Sequence, residues 1–123
     1  MLSDFPDGVS LEEGDFAAAS GYYRESLAMA VELEDHWLAA VALDGLAAVA
    51  LEKGVGEKAA LLSGAAEALC EAAGDPLQAW EQSLRDRNVS ALRSTLDAES
   101  LEREWARGRE MTLREAAGVA LGV

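Results

Sequence analysis

Apolar residues occupy thirteen of the fifteen positions from Trp37 to Leu51, interrupted only by Asp44 and Gly45. A helix with apolar residues on almost every face must be covered by protein on all sides. We therefore predict that this segment, capped by Asp35 and ending before Gly54, is the central buried helix. It is too short to span a membrane, since fifteen residues extend only about 22 Å and the bilayer core measures about 30 Å.

Apolar residues recur at steps of three and four in five further segments, which is the spacing of one helix face. These segments cover residues 16–33, 56–73, 76–96, 98–108 and 113–121. Several of their predicted boundaries rest on capping residues. N-caps are predicted at Asp15, Asp75 (with Pro76 as the first helical residue), Asp97 and Thr112. Residues 1–10 show no period and are predicted to be irregular. Since no segment alternates with period two, we expect an all-α protein.

Two helical segments are related by an offset of forty residues, which places Gly14 on Gly54, Ala19 on Ala59 and Ala28 on Ala68. A repeat length of about forty is typical of solenoids built from helical hairpins. The first segment, with Gly14-Asp15-Phe16 followed by small and aromatic residues, resembles the second helix of a tetratricopeptide repeat.

An ordered series of motifs extends this resemblance over residues 11–121. The series consists of LLSGAAEAL at 61–69, GDPL at 74–77, WARGR at 105–109 and MTLREA at 111–116. It is similar to the C-terminal region of large bacterial LuxR-type transcriptional regulators and signal-transduction ATPases. The resemblance implies one domain over 1–123, a right-handed α-solenoid of antiparallel hairpins, with repeats at 11–74 and additional helices at 75–123.

The same resemblance implies a function without catalysis, because the chain carries neither a P-loop nor a helix-turn-helix pattern. We expect a sensor or scaffold module that binds a protein or peptide. The alternative is an effector domain that binds a small molecule between the repeats and the C-terminal helices. No cofactor is implied, and the single histidine, His36, provides neither a metal-binding pair nor a catalytic relay.

The net charge of −13 lies entirely in residues 1–84, whereas residues 85–123 carry seven charges of each sign. Acidic surface repels the phosphates of nucleic acids, so we expect no nucleic-acid partner. The acids keep an Ala-rich helical surface soluble or attract a basic partner. The chain starts without a basic and apolar leader, and Cys70 is a single cysteine, so we expect a cytoplasmic protein.

Asp44 is the candidate ligand residue, because it interrupts the most apolar helix and precedes a glycine. With Trp37 and His36 on the same helix, it could line a ligand or peptide groove. The alternative is a structural acid that is hydrogen-bonded to a neighbouring helix. Asn88 is likewise interpreted as a hydrogen-bonded or half-exposed polar position, Gly64 as a close helix contact and Cys70 as a small buried side chain.

The helix at 16–33 lacks the first helix of its repeat and carries more apolar surface than the central helix can cover. We therefore expect a homodimer through residues 11–33, with Phe16, Tyr22, Tyr23 and Leu27 at the interface. The alternative cover is the chain's own beginning, with Leu2, Phe5 and Val9 folded back as a lid.

Overall fold

The computed structural model describes residues 16–122. For Phe16 it describes the backbone but not the side chain. The predictions for residues 1–15, including the irregular start, the lid and the Asp15 cap, lie outside this range. The described part contains six α-helices and no strand, so the all-α prediction is confirmed. The helices are α1 (Phe16–Leu33), α2 (His36–Glu52), α3 (Gly56–Ala73), α4 (Ala79–Thr95), α5 (Ala98–Arg109) and α6 (Leu113–Ala120).

Local capping sets most helix boundaries where the sequence predicts them. The Asp35 carboxylate accepts a hydrogen bond from the Leu38 amide at 3.0 Å, and α2 begins there. The Asp97 carboxylate accepts from the Ser100 amide at the start of α5. At α6 the Thr112 amide donates to the Glu115 carboxylate and the Glu115 amide donates to the Thr112 hydroxyl. Each cap satisfies backbone donors that the first turn leaves without partners.

The predicted start of α4 is wrong, because the helix begins at Ala79 and not at Pro76. The backbone amide of Gln78 donates to the Glu81 carboxylate at 2.7 Å, which makes Gln78 the N-cap. Residues 75–78 instead form a connection held by two other helices. The indole of Trp37 donates to the Pro76 carbonyl at 3.3 Å. The thiol of Cys70, which is only half-buried, approaches the Asp75 carbonyl at 3.6 Å.

Helix α2 is surrounded by α1, α3, α4 and α6, and eleven of its seventeen residues are buried. Positions 44 and 48 face α4, and positions 46 and 50 face α1 and α6. Positions two residues apart point about 200° apart on a helix. Helices α4 and α6 therefore cover opposite faces of α2, which confirms its prediction as the central buried helix.

Helices α3 and α5 approach each other closely at two contacts, and each helix contributes a glycine to one of them. A Cβ added at Gly64 would collide with the backbone carbonyl of Trp105, and one added at Gly108 would collide with that of Leu61. Only glycine at both positions allows backbone to lie against backbone. The interpretation of Gly64 as a close helix contact is confirmed.

The predicted dimer-interface residues Tyr23 and Leu27 are buried inside the protein, with 1% and 0% of their surfaces exposed. The ring of Tyr23 lies against the backbone of Gly45 in α2. Helix α6 packs on α1 as well, and the Arg24 guanidinium donates to the Leu121 carbonyl at 3.0 Å. Placing these two side chains at a dimer interface was wrong, because α2 and α6 supply the cover that was assigned to a second copy.

Candidate functional site

Asp44 is 2% exposed and forms the centre of a polar cluster between α2 and α4. One carboxylate oxygen accepts from Arg85 Nη2 at 2.9 Å and from Arg85 Nε at 3.1 Å. The amide nitrogen of Asn88 donates to the Asp44 backbone carbonyl at 2.9 Å, so Asn88 is hydrogen-bonded as predicted. Burial raises the pKa of Asp44 to about 6 even though the Arg85 guanidinium acts to lower it.

Of the two alternatives for Asp44, this geometry favours the structural acid that is hydrogen-bonded to a neighbouring helix. A ligand at the surface cannot reach its carboxylate. The other two residues of the predicted groove do not join it. His36 and Trp37 lie at the start of α2, about 12 Å and 10 Å along the helix axis from Asp44. Both are half-buried, and the Trp37 indole is engaged by the Pro76 carbonyl.

An open cleft lies elsewhere, between α4 and α5. Both helices pack on α3 but make few contacts with each other, so α3 forms the floor between two helical walls. The cleft has a polar lobe of about 690 Å³ and a more apolar lobe of about 440 Å³. We call it the α4–α5 cleft. Four residues line both of its lobes: Glu67, Val89, Arg93 and Trp105.

Helical spacing accounts for the side chains on each wall, because residues four apart share one face. The α4 wall presents Arg85, Val89 and Arg93. The α5 wall presents Leu101, Trp105 and Arg109. Both walls thus combine an apolar centre with arginine.

The indole of Trp105 is fixed in the cleft by Glu67 on the floor. The indole nitrogen donates to Glu67 Oε1 at 2.8 Å, and Arg109 Nη1 donates to the same oxygen at 2.7 Å. Arg109 also bonds Glu71 at 2.8 Å, and this hydrogen bond lowers the pKa of the Glu71 carboxyl. Trp105 is therefore a rigid aromatic surface, and its orientation does not depend on a ligand.

The sequence offered a weak signal for this site. Trp105 lies at helical spacing from Leu101, which is typical of a core residue, but it is half-buried and its indole lines the cleft. Its hydrogen bond to Glu67 spans 38 positions. Nothing in the local pattern of either helix indicates that pairing.

Two further searches of residues 16–122 concern other kinds of site. No group of three or more His, Cys, Asp or Glu side chains is arranged to hold a metal ion there. Within the same range, every helix is too short or too polar to cross a bilayer.

The fold and the cleft together define an all-helical protein with an open groove between two helices. Comparison with models of known families, with curated protein sequences and with solved structures finds no match for this chain.

Proposed function

We propose that this protein is a non-enzymatic helical-repeat module that binds a segment of another protein in the α4–α5 cleft. The observation that carries the proposal is the rigid indole of Trp105 in an open groove. Aromatic side chains held in place before binding are typical anchors of protein interfaces, because little conformational entropy is lost when a partner docks. A cytoplasmic location is part of the proposal.

Helix packing supports a tetratricopeptide-like arrangement as the basis of this module. Short connections join α1 to α2 and α2 to α3, as in antiparallel hairpins, and helices two apart in the chain also pack together, α2 with α4 and α3 with α5. Packing of this kind is expected when hairpins stack in a solenoid. The return of α6 to α1, α2 and α3 departs from a simple stack.

The burial of Asp44 supports a function without catalysis. A catalytic carboxyl must reach its substrate, and the Asp44 carboxylate is sealed beneath α4 by Arg85. Asp44 holds α4 in place, and this structural role explains its burial without a catalytic one. The resemblance to the sensor region of bacterial regulators points the same way.

A small-molecule effector is the second candidate occupant, and the size of the apolar lobe favours it. A volume of about 440 Å³ lies within the range of about 300–1,000 Å³ that small-molecule sites occupy. This lobe lies between α3 and the C-terminal helices, where the effector alternative was expected.

The test is to compare binding by the wild type, by Trp105→Ala and by a matched variant, Trp80→Ala, whose indole is exposed on α4 outside the cleft. Immobilised proteins are incubated with cytoplasmic extract, and bound proteins are identified by mass spectrometry. We expect specific partners that Trp105→Ala loses and Trp80→Ala retains. Circular dichroism first verifies that both variants are folded.

Identical partners for all three proteins would contradict the proposed site. The small-molecule alternative predicts a different result. In that case the low-molecular-weight fraction of the same extract raises the melting temperature of the wild type and of Trp80→Ala but not that of Trp105→Ala.

We also propose that the protein forms a homodimer through the outer face of α1. Met29 and Leu33 are 54% and 64% exposed on this helix, which packs mainly on α2 and α6. Tyr22 is half-buried with its ring edge-on to Tyr23, at a centroid distance of 5.4 Å. No nucleic-acid partner is included in the proposal, because the protein carries a net charge of −13.

A further inference from the structure

Most charged side chains that line the α4–α5 cleft already have partners within the protein. Arg85 is paired with Asp44, and Arg109 is paired with Glu67 and Glu71. Asp86 accepts a hydrogen bond from the Gln82 amide at 3.0 Å. These groups therefore have little to gain from a ligand, because binding would have to replace interactions that already exist.

Two charged side chains of the cleft make no ion pair or hydrogen bond with any residue from 16 to 122. One is the cation Arg93 and the other is the anion Glu102. They belong to opposite walls, Arg93 to α4 and Glu102 to α5. The apolar side chains of Val89, Leu101 and Trp105 line the same lobe of the cleft. The free charges thus give the cleft a polarity from one wall to the other.

We infer that the α4–α5 cleft binds a peptide segment with an apolar side chain against Trp105, an acidic group directed to Arg93 and a basic group directed to Glu102. This inference rests on the proposed function, since it names the chemistry of the partner for the same site. Charge complementarity of this kind determines orientation and selects partners more than it adds affinity. A segment with the two charges exchanged would place like charges together on both walls.

The test uses three small probes that share one branched apolar group and differ in charge: isocaproate, isocaproamide and isoamylammonium. Each is titrated into the full chain near pH 7, and the indole N–H signal of Trp105 is followed by NMR. A Trp105→Phe variant assigns that signal. We expect all three probes to shift it, with the anion and the cation binding about threefold more tightly than the neutral amide, as for a partly exposed ion pair.

Charge-neutral variants attribute these preferences to single residues. Arg93→Gln is expected to remove the advantage of isocaproate, and its matched control Arg87→Gln, on α4 outside the cleft, to retain it. Glu102→Gln is expected to remove the advantage of isoamylammonium, with Glu99→Gln, an exposed position on α5, as its control. The Glu99 control also measures general attraction of cations to the acidic protein.

The outcomes separate this inference from the proposed function. If the three probes shift Trp105 with equal affinity, the cleft binds apolar groups and the assigned charge preference is overturned. If none of the three probes shifts the Trp105 signal, the cleft is not the binding site and both proposals fail. Loss of the anion preference in Arg87→Gln as strongly as in Arg93→Gln would overturn the assignment to Arg93.

Discussion

Replacing Gly64 or Gly108 by alanine tests the interface that holds α5, and with it one wall of the cleft. The added Cβ of Gly64→Ala would also lie 2.9 Å from the Trp105 carbonyl carbon and 3.0 Å from its Cα, besides colliding with the carbonyl oxygen. At Gly108 the corresponding distance to the Ala65 amide nitrogen is 2.9 Å. These are backbone atoms, so no side-chain rotation relieves the overlap, and the helices must move apart.

The expected cost is the difference between two effects. Overpacking of a tight core costs typically about 1–3 kcal/mol and occasionally more, and a contact with backbone belongs at the upper end. Alanine offsets up to about 1 kcal/mol of this through its higher helix propensity. We therefore expect each variant to lose about 2 kcal/mol of unfolding free energy. The double variant should lose less than the sum, because the first alanine already separates the helices at both contacts.

Urea denaturation measures the loss, and two glycines in other helices provide matched controls. A Cβ at Gly21 in α1 or at Gly118 in α6 has nothing within 4 Å to collide with. Gly21→Ala and Gly118→Ala are therefore expected to stabilise the protein by about 0.5–1 kcal/mol. The close approach of α3 and α5 would be refuted if Gly64→Ala and Gly108→Ala behaved like these controls.

Two further predictions concern the buried acid and the outer face of α1. The pKa of Asp44 in the folded protein, about 6, lies above its ordinary value of 3.8, so its stabilising contribution is complete below that lower value and is lost as the pH rises through 6. Urea denaturation should therefore show that, between about pH 7 and pH 4, the unfolding free energy of Asp44→Asn rises by about 2 kcal/mol less than that of the wild type, and an equal rise would contradict this. Light scattering should give a dimer for the wild type and a 13.0 kDa monomer for Met29→Lys with Leu33→Glu. A wild-type monomer at tens of micromolar would contradict the α1 interface.

Helix starts were predictable from the sequence where only one candidate N-cap residue precedes the apolar segment. Asp35, Asp97 and Thr112 each lie beside a single apolar segment, and each caps the expected helix. Before α4 two signals compete, Asp75-Pro76 and the Gln78-to-Glu81 spacing. Local rules favour Asp75-Pro76, because glutamine is not a preferred N-cap residue, and they therefore predict the wrong start.

The cover of α1 could not be predicted, because it depends on where α6 returns. Residues 24 and 121 are joined by a hydrogen bond across 97 positions, and no periodic pattern connects two segments so far apart. Helical spacing places Ala19, Tyr23, Leu27 and Ala30 on one apolar face of α1, and all four are buried, whereas Leu33 continues the spacing and is 64% exposed. The prediction of a second copy against Tyr23 and Leu27 is wrong because an apolar face does not indicate which surface covers it.

The α4–α5 cleft arises from the same long-range packing, and Asp44 links it to the core. Arg85 bonds Asp44 with its guanidinium while it lines the polar lobe of the cleft, and Asn88 fixes the next turn of α4 to the same residue. A buried charge is costly unless it is paired, so α4 lies on α2 where Arg85 reaches the Asp44 carboxylate and Asn88 reaches its backbone carbonyl. The acid that the sequence singled out as a ligand residue therefore acts one step from the site, because it positions the wall on which Val89 and Arg93 lie.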